Sequence, residues 1–371
     1  MDLTLTPEQE LIRSSAREFV DRELAPHVRD WDRDETMDRG IVAKLAEVGF
    51  LAGWELDTVS YCLVMEELGR VDSSVRGIVS VNVGLVGKTI LKWGTEEQKE
   101  QWVARLGTGE VLGCYALTEP GAGSDPGGLA TTAERDGDSW VINGSKIFIT
   151  LGTWAGLALV FARTGERITC FLVPTDSPGF SAHQIKGKLG LRAQDTGELT
   201  LDGVRVPVEN VLGEEGGGMK VALSALDNGR ISLAAGCVGI GQGCLEACLA
   251  YAAERRQFGR PIASFQLVQE LLAEIAVETD AARLLTWKAA LAADAGTRHT
   301  LESSIAKYYA SEAAVRSANA AVQVHGGYGY VDEFPVGKYL RDARVTTLYE
   351  GTSQIQKLII GRQLTGENAF V

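Results

Sequence analysis

Val141-Ile142-Asn143-Gly144-Ser145-Lys146 and, farther along, Leu199-Thr200-Leu201-Asp202-Gly203-Val204 each set an Asn-Gly or Asp-Gly pair between short β-favouring runs. That is the chemistry of a two-residue hairpin, whose central residues take positive φ. These stretches decide the fold class, because most of the chain on either side is spaced for helices. Between them, Leu157 to Phe161 and Ile168 to Val173 are apolar runs of strand length. A β-domain is expected at 113–214.

Upstream, Thr6-Pro7-Glu8-Gln9 offers an N-cap, a proline at the first helical position and a Gln that closes a capping box. Thr95-Glu96-Glu97-Gln98 repeats the box without the proline. Ile41 to Val48, Thr58 to Leu68 and Ser73 to Trp93 carry apolar residues at three- and four-residue spacing, so 1–112 reads as a helical domain. After Gly216-Gly217-Gly218, helical spacing resumes near 219–255, 264–294, 300–324 and 351–363, giving a C-terminal helical bundle at 215–371. The class is α+β: helices, then a β-barrel or small sheet, then a helix bundle rich enough in Ala and Gly for close packing.

The formal net charge of −13 argues against a nucleic-acid surface or a basic membrane face, since both need clustered Lys and Arg. The six cysteines show no CxxC spacing and read as free, buried thiols. The four histidines, at 27, 183, 299 and 325, join no Cys or carboxylate at ligand spacing, so no metal site is expected. The opening MDLTLTPEQE lacks a basic region followed by an apolar one, and no uninterrupted apolar run of membrane-spanning length is apparent. A cytoplasmic protein without membrane insertion is expected.

Three segments could carry chemistry. Tyr115-Ala116-Leu117-Thr118-Glu119-Pro120-Gly121-Ala122-Gly123-Ser124-Asp125 ends a strand in a glycine-bearing loop, where free N–H groups and hydroxyls could meet a phosphate or cofactor ring, although such a loop can also be a plain turn. Val324-His325-Gly326-Gly327-Tyr328-Gly329-Tyr330 breaks helical spacing where backbone could approach a ligand, and His325 has the alternative of a local hydrogen-bonding group. Leu348-Tyr349-Glu350-Gly351-Thr352-Ser353-Gln354 places a carboxylate just before a new helix, where it serves either the helix macrodipole or catalysis.

In order, YALTEPGAGSD, NGSKIFIT, ERRQFGRPI with Phe265-Gln266, QVHGGYGY, RDARV and LYEGTSQIQ resemble the signatures of the acyl-CoA dehydrogenase family over essentially the whole chain. The resemblance implies FAD bound without a Rossmann fingerprint, and a thioester substrate that loses an α-proton to a base and a β-hydride to the flavin. Glu350 stands at the base's position; the alternative position used by some members falls near Asn228 and Gly229, which cannot serve. Leu117, Thr118 and Ser124 match contacts to the isoalloxazine and pyrophosphate, and Thr150 a hydroxyl on the other side of the ring. Phe148 stands where a tryptophan is common and Leu151 where an asparagine is. Arg255, Gln257, Phe258 and Gln266, completed by Gln323, Gly326 and Gly327, match a cross-subunit site for the adenine half of FAD, with Thr352 and Gln354 near the flavin of the chain carrying Glu350.

A homodimer or homotetramer and an electron-transfer flavoprotein as electron acceptor are thereby implied. Arg230 resembles a family arginine near the thioester end, with the alternative of a structural ion pair, and Tyr349 and Gly351 are further expected substrate-binding residues. Arg76 and Ser80, one helical turn apart, match the glutaryl-CoA dehydrogenase branch, where an arginine and a serine bind a distal carboxylate; Gly361 to Gly366 with Ala369-Phe370 also resemble that branch. The carrier is coenzyme A or an acyl-carrier protein, and the acyl unit could be glutaryl or a small malonyl-type group. An oxidase or monooxygenase on the same fold, and a non-catalytic flavin-binding homologue, are the competing readings. The connection between Phe50 and Thr58 is shorter than usual in the family.

Overall fold

The computed structural model describes residues 4–369, so Phe370 of the C-terminal resemblance and the first three residues of the acidic N-terminus lie outside the described residues. The N-terminal helices are α1 (Pro7–Glu23), α2 (Val28–Asp34), α3 (Ile41–Glu47), α4 (Thr58–Val71), α5 (Ser73–Val79), α6 (Lys88–Trp93) and α7 (Glu96–Gly107). Both capping boxes form, at Thr6/Gln9 and Thr95/Gln98. The short connection before α4 is a 3₁₀ turn, Phe50–Glu55, whose Trp54 lies against Gly87 and Gly107. Between α5 and α6, Ser80–Gly87 is π-helical, so one rod runs from Ser73 to Trp93 with a widened middle. Such bulges concentrate at functional sites.

The middle of the chain holds β1 (Gly113–Ala116), β2 (Thr132–Asp136), β3 (Ser139–Thr150), β4 (Leu157–Thr164), β5 (Arg167–Pro174), β6 (Phe180–Gln184), β7 (Thr196–Pro207) and β8 (Val211–Leu212). They pair in the order β6-β7-β3-β2-β4-β5-β8, with β1 parallel to β4. This single eight-stranded sheet is the expected β-domain.

Neither expected hairpin exists. β3 runs straight through Asn143-Gly144 and β7 through Asp202-Gly203, and the two stretches face each other across the antiparallel β3/β7 ladder. The register passes from Ile142↔Val204 to Gly144↔Leu201, which leaves Asp202 and Gly203 opposite Asn143. That is a β-bulge: Gly203 takes φ 65° and its N–H donates to Asn143 Oδ1 at 2.8 Å. Positive-φ chemistry was read correctly, but it re-aims a strand instead of reversing it. The tight β2–β3 turn is at Gly137, φ 62°, between the paired Asp136 and Ser139.

The C-terminal helices are α8 (Gly218–Glu254), α9 (Gln266–Asp294), α10 (Thr300–His325), α11 (Val336–Thr346) and α12 (Ser353–Thr365), of which α11 was not anticipated. α8, α9 and α10 pack mutually, α11 and α12 pack on α10, and α4 crosses α8 closely. A Cβ on Gly69 would stand 2.4 Å from the Gly236 carbonyl oxygen, so a side chain there would push α4 and α8 apart. Ser73–Trp93 and Gly218–Glu254 are long and apolar enough to span a membrane by length and composition, but charged residues interrupt both, and 89% and 67% of their apolar windows are buried inside the protein, which accounts for that character. One apolar core runs through all three regions, and all six cysteines are buried and free. Lys338 of α11 ties them polarly: it binds Asp72 at the start of α5 at 2.7 Å and also Asp342, which accepts from the N–H of Leu191 in the β6–β7 connection at 2.7 Å.

Candidate active site

The turn between α11 and α12 carries Glu350 in the left-handed region, φ 55°, followed by Gly351 at φ 90°. A non-glycine residue there is strained by roughly 1–2 kcal/mol, so surrounding contacts must hold it. Thr352 caps α12 by accepting from the Ile355 N–H. Gln356 Nε2 donates to the carbonyl oxygens of Glu350 and Gly351 at 3.1 Å each, and Lys307 Nζ donates to Gly351 O at 2.7 Å.

Held this way, the Glu350 side chain reaches the floor of a cleft. The residue is half-buried, yet its Oε2 is out of solvent and has no hydrogen-bond partner. Burial raises the carboxyl above its ordinary range, although Arg76, Lys307 and Arg230 pull the other way. Gly229 of α8 makes the room: a Cβ there would lie 2.4 Å from Glu350 Oε2. The position where a rival base was considered thus makes room for the Glu350 carboxylate.

The cleft, of about 1200 Å³, is walled by all three regions and contains Leu117, Thr118, Ser124, Phe148, Thr150, Arg76, Ser80, Arg230, Tyr349 and Gly351 together with Glu350. Phe148 takes φ 60° and stays 66% exposed. Thr150 Oγ1 accepts from Gln194 Nε2 at 3.0 Å. Beneath the glycine-bearing loop, buried Lys146 bonds Glu119 at 2.8 Å and Phe161 O at 2.6 Å, and Glu119 also accepts from the Ala130 and Thr131 N–H groups. The Glu and Lys of those two motifs therefore build the loop, and burial pulls Lys146 down to about 8 despite Glu119.

Arg76 is buried at 3% exposure, fitted into space left by Gly236. Its Nη2 donates to the Tyr349 hydroxyl at 2.9 Å, while Nη1 has no partner. Ser80 shares a hydrogen bond with Ser232, which also meets Tyr61. Arg230 Nη1 pairs with Asp227 at 2.7 Å, the structural ion pair weighed for it, while the residue lines the cleft and its Nε has no partner.

Arg255, Gln257, Gly326 and Gly327 line a separate cavity of about 640 Å³. There the Arg255 guanidinium lies over the Tyr328 ring at 5.4 Å, and His325 stacks on Tyr251 at 4.3 Å while bonding Ala321 O, the local role foreseen for it. Phe258, φ 50°, is 92% exposed. Gln266 and Gln323 are exposed and outside both cavities, as is Gln354; Thr352 is spent on its cap. Sequence reasoning named Gly229 only as a place that cannot hold a base, and gave no role to Gln194, Lys307 or Lys146, of which only Lys146 stands in a quoted motif.

An exposed ring, hydroxyls and unpaired buried polar atoms in one cleft fit a flavin, which Leu117, Thr118, Ser124, Phe148 and Thr150 would be the residues to hold.

Models of the acyl-CoA dehydrogenase N-terminal, middle and C-terminal domains match residues 6–110, 114–204 and 216–365. The short-chain specific acyl-CoA dehydrogenase of Mus musculus mitochondria is 42% identical over 368 residues, covering 96% of this chain and 89% of that one. Among solved structures, glutaryl-CoA dehydrogenase from Mycobacterium smegmatis superimposes with a TM-score of 0.96 at 39% identity, covering 99% and 97% of the two chains. Butyryl-CoA dehydrogenase from Megasphaera elsdenii gives 0.96 at 38% identity, covering 98% and 100%.

Proposed function

The chain belongs to the acyl-CoA dehydrogenase family of FAD-dependent oxidoreductases, and on that premise we propose that it desaturates a short acyl thioester with Glu350 as the base. The observation that carries this reading is the buried, unpartnered Glu350 Oε2 facing a cleft shared by all three regions. An acceptor without a donor is costly to bury, so it is placed for a proton that arrives with the substrate.

In the proposed step the Glu350 carboxylate takes the α-proton and becomes a carboxylic acid. Bound FAD supplies the acceptor for the β-hydride. The left-handed turn fixes where the carboxylate stands, and Gly229 lets it approach the α8 backbone. Desolvation strengthens it as a base.

The acyl group is proposed to end in a second carboxylate, as in glutaryl-CoA or a malonyl-type unit on a carrier. Support comes from Arg76: a buried guanidinium in the cleft wall whose Nη1 is free and whose hydrogen-bonded neighbour, Tyr349, is neutral. A bidentate carboxylate is its natural partner. Homodimer or homotetramer formation is supported by the separate Arg255 cavity and fully displayed Phe258, which suit a cofactor half shared between subunits. An electron-transfer flavoprotein as acceptor and a cytoplasmic location complete the reading.

The test is anaerobic bleaching of the bound flavin by a panel of acyl thioesters. Wild-type enzyme bleaches, and Glu350→Gln, with FAD retained, is slowed by about 10³-fold or more, the upper part of the general-base range. Near-normal bleaching by that variant rejects Glu350 as the base.

A further inference from the structure

Lys307 lies on the inner face of α10 among Ser303, Ser304, Ala306, Ala310 and Ser311, and its side chain is fully buried. Burying an ammonium is costly unless an anion or acceptors compensate. No carboxylate approaches Lys307 within 4 Å among the described residues, and its hydrogen bond goes to Gly351 O, one residue past Glu350. Gln356 Nε2 already donates to the same oxygen, so a neutral donor is in place for the turn. What Lys307 adds is charge beside a carboxylate.

We propose that Lys307 is a positioning residue for the base, its buried ammonium clamping the Glu350–Gly351 turn while its charge governs how readily Glu350 holds a proton. The proposal rests on Glu350 being the base. The other groups facing this pair are Arg76 from α5, Arg230 and Cys237 from α8, Tyr61 from α4, Tyr115 from β1, neighbouring Tyr349 and Glu312 of α10. Both arginines stay charged throughout the working range. Burial lifts the three tyrosines above their ordinary value and Cys237 to about 11, which keeps them neutral there. Lys307 differs, because burial pulls it down to about 8, against the attraction of Cys237 and Glu350. Above that pH the ammonium is lost, the Glu350 anion loses a neighbouring cation, and its affinity for a proton rises.

The experiment is anaerobic stopped-flow bleaching across pH 5–10 for wild type, Lys307→Met, Lys307→Arg and Glu350→Gln. The substrate is whichever straight-chain or dicarboxylic acyl-CoA bleaches wild type fastest; FAD content and thermal melting are measured alongside. Lys307→Met, similar in length but uncharged, should move the ascending limb up by on the order of one pH unit, whereas Lys307→Arg keeps it near wild type. Wild type alone should show a second break near about 8. An unmoved limb in Lys307→Met, or equal shifts in both variants, overturns the proposal. If Lys307→Met does not fold, a wild-type profile without the second break overturns it, and the break's presence sustains it. Normal bleaching by Glu350→Gln rejects the base assignment itself, whereas an inactive Glu350→Gln with an unmoved Lys307→Met limb rejects only the role of Lys307.

Discussion

Replacing Gly229 by alanine adds one methyl group to the middle of α8, where helix propensity by itself favours alanine by about 1 kcal/mol. In this fold that methyl carbon would stand 2.4 Å from Glu350 Oε2 and 2.9 Å from Leu85 Cδ2. Both obstacles are side-chain tips, so the backbone need not move and the variant should melt within a few degrees of wild type. The carboxylate must move instead. Reaching an ordinary contact of about 3.4–4.0 Å from 2.4 Å requires a retreat of about 1.0–1.6 Å, and a misplacement of ~1 Å at a reacting group costs up to about 10²-fold. Gly229→Ala should therefore bind FAD normally and lose about 10- to 100-fold in kcat/KM, with most of the loss in kcat. Single-turnover flavin bleaching beside a thermal melt measures both. A variant with unaltered bleaching rate would show that Glu350 has no preferred place over Gly229, and the positional part of the mechanism would fall.

Three other outcomes follow from the same geometry. Because burial raises the Glu350 carboxyl, the folded state holds its proton to higher pH than the unfolded chain, so stability is lost as pH rises through the folded value. Glu350→Gln should thus melt higher than wild type at neutral pH, with the difference shrinking toward pH ~4, where both states are protonated; a difference independent of pH contradicts the raised value. Arg76→Ala should lower kcat/KM for glutaryl-CoA far more than for butyryl-CoA, because only the former loses a charged pair, and equal losses end the dicarboxylate reading. Arg255→Ala should weaken FAD retention and subunit association together, read by size exclusion with and without added FAD; a stable monomer with full FAD would exclude a cofactor shared across subunits.

The sequence alone determined what depends on neighbours in the chain. Capping boxes at Thr6 and Thr95 and the apolar spacing of α4, α8, α9 and α10 are satisfied within a few residues of themselves, so they were legible. The motif residues at 117, 118, 123, 124, 148–150 and 349–351 were legible as a set, and the fold brings them into one cleft. Asn143-Gly144 and Asp202-Gly203 were misread because a positive-φ glycine serves a hairpin or a bulge equally, and the partner strand decides which. The π-helical middle of the Ser73–Trp93 rod had no local signature at all. What only tertiary structure decided is the environment of Glu350. Glu350 is buried against Gly229, near Arg76, Arg230 and Lys307, groups from α5, α8 and α10 that sequence separates widely. Desolvation and charge act through space, so the raised proton affinity of this carboxylate belongs to the packed chain and to no segment of it.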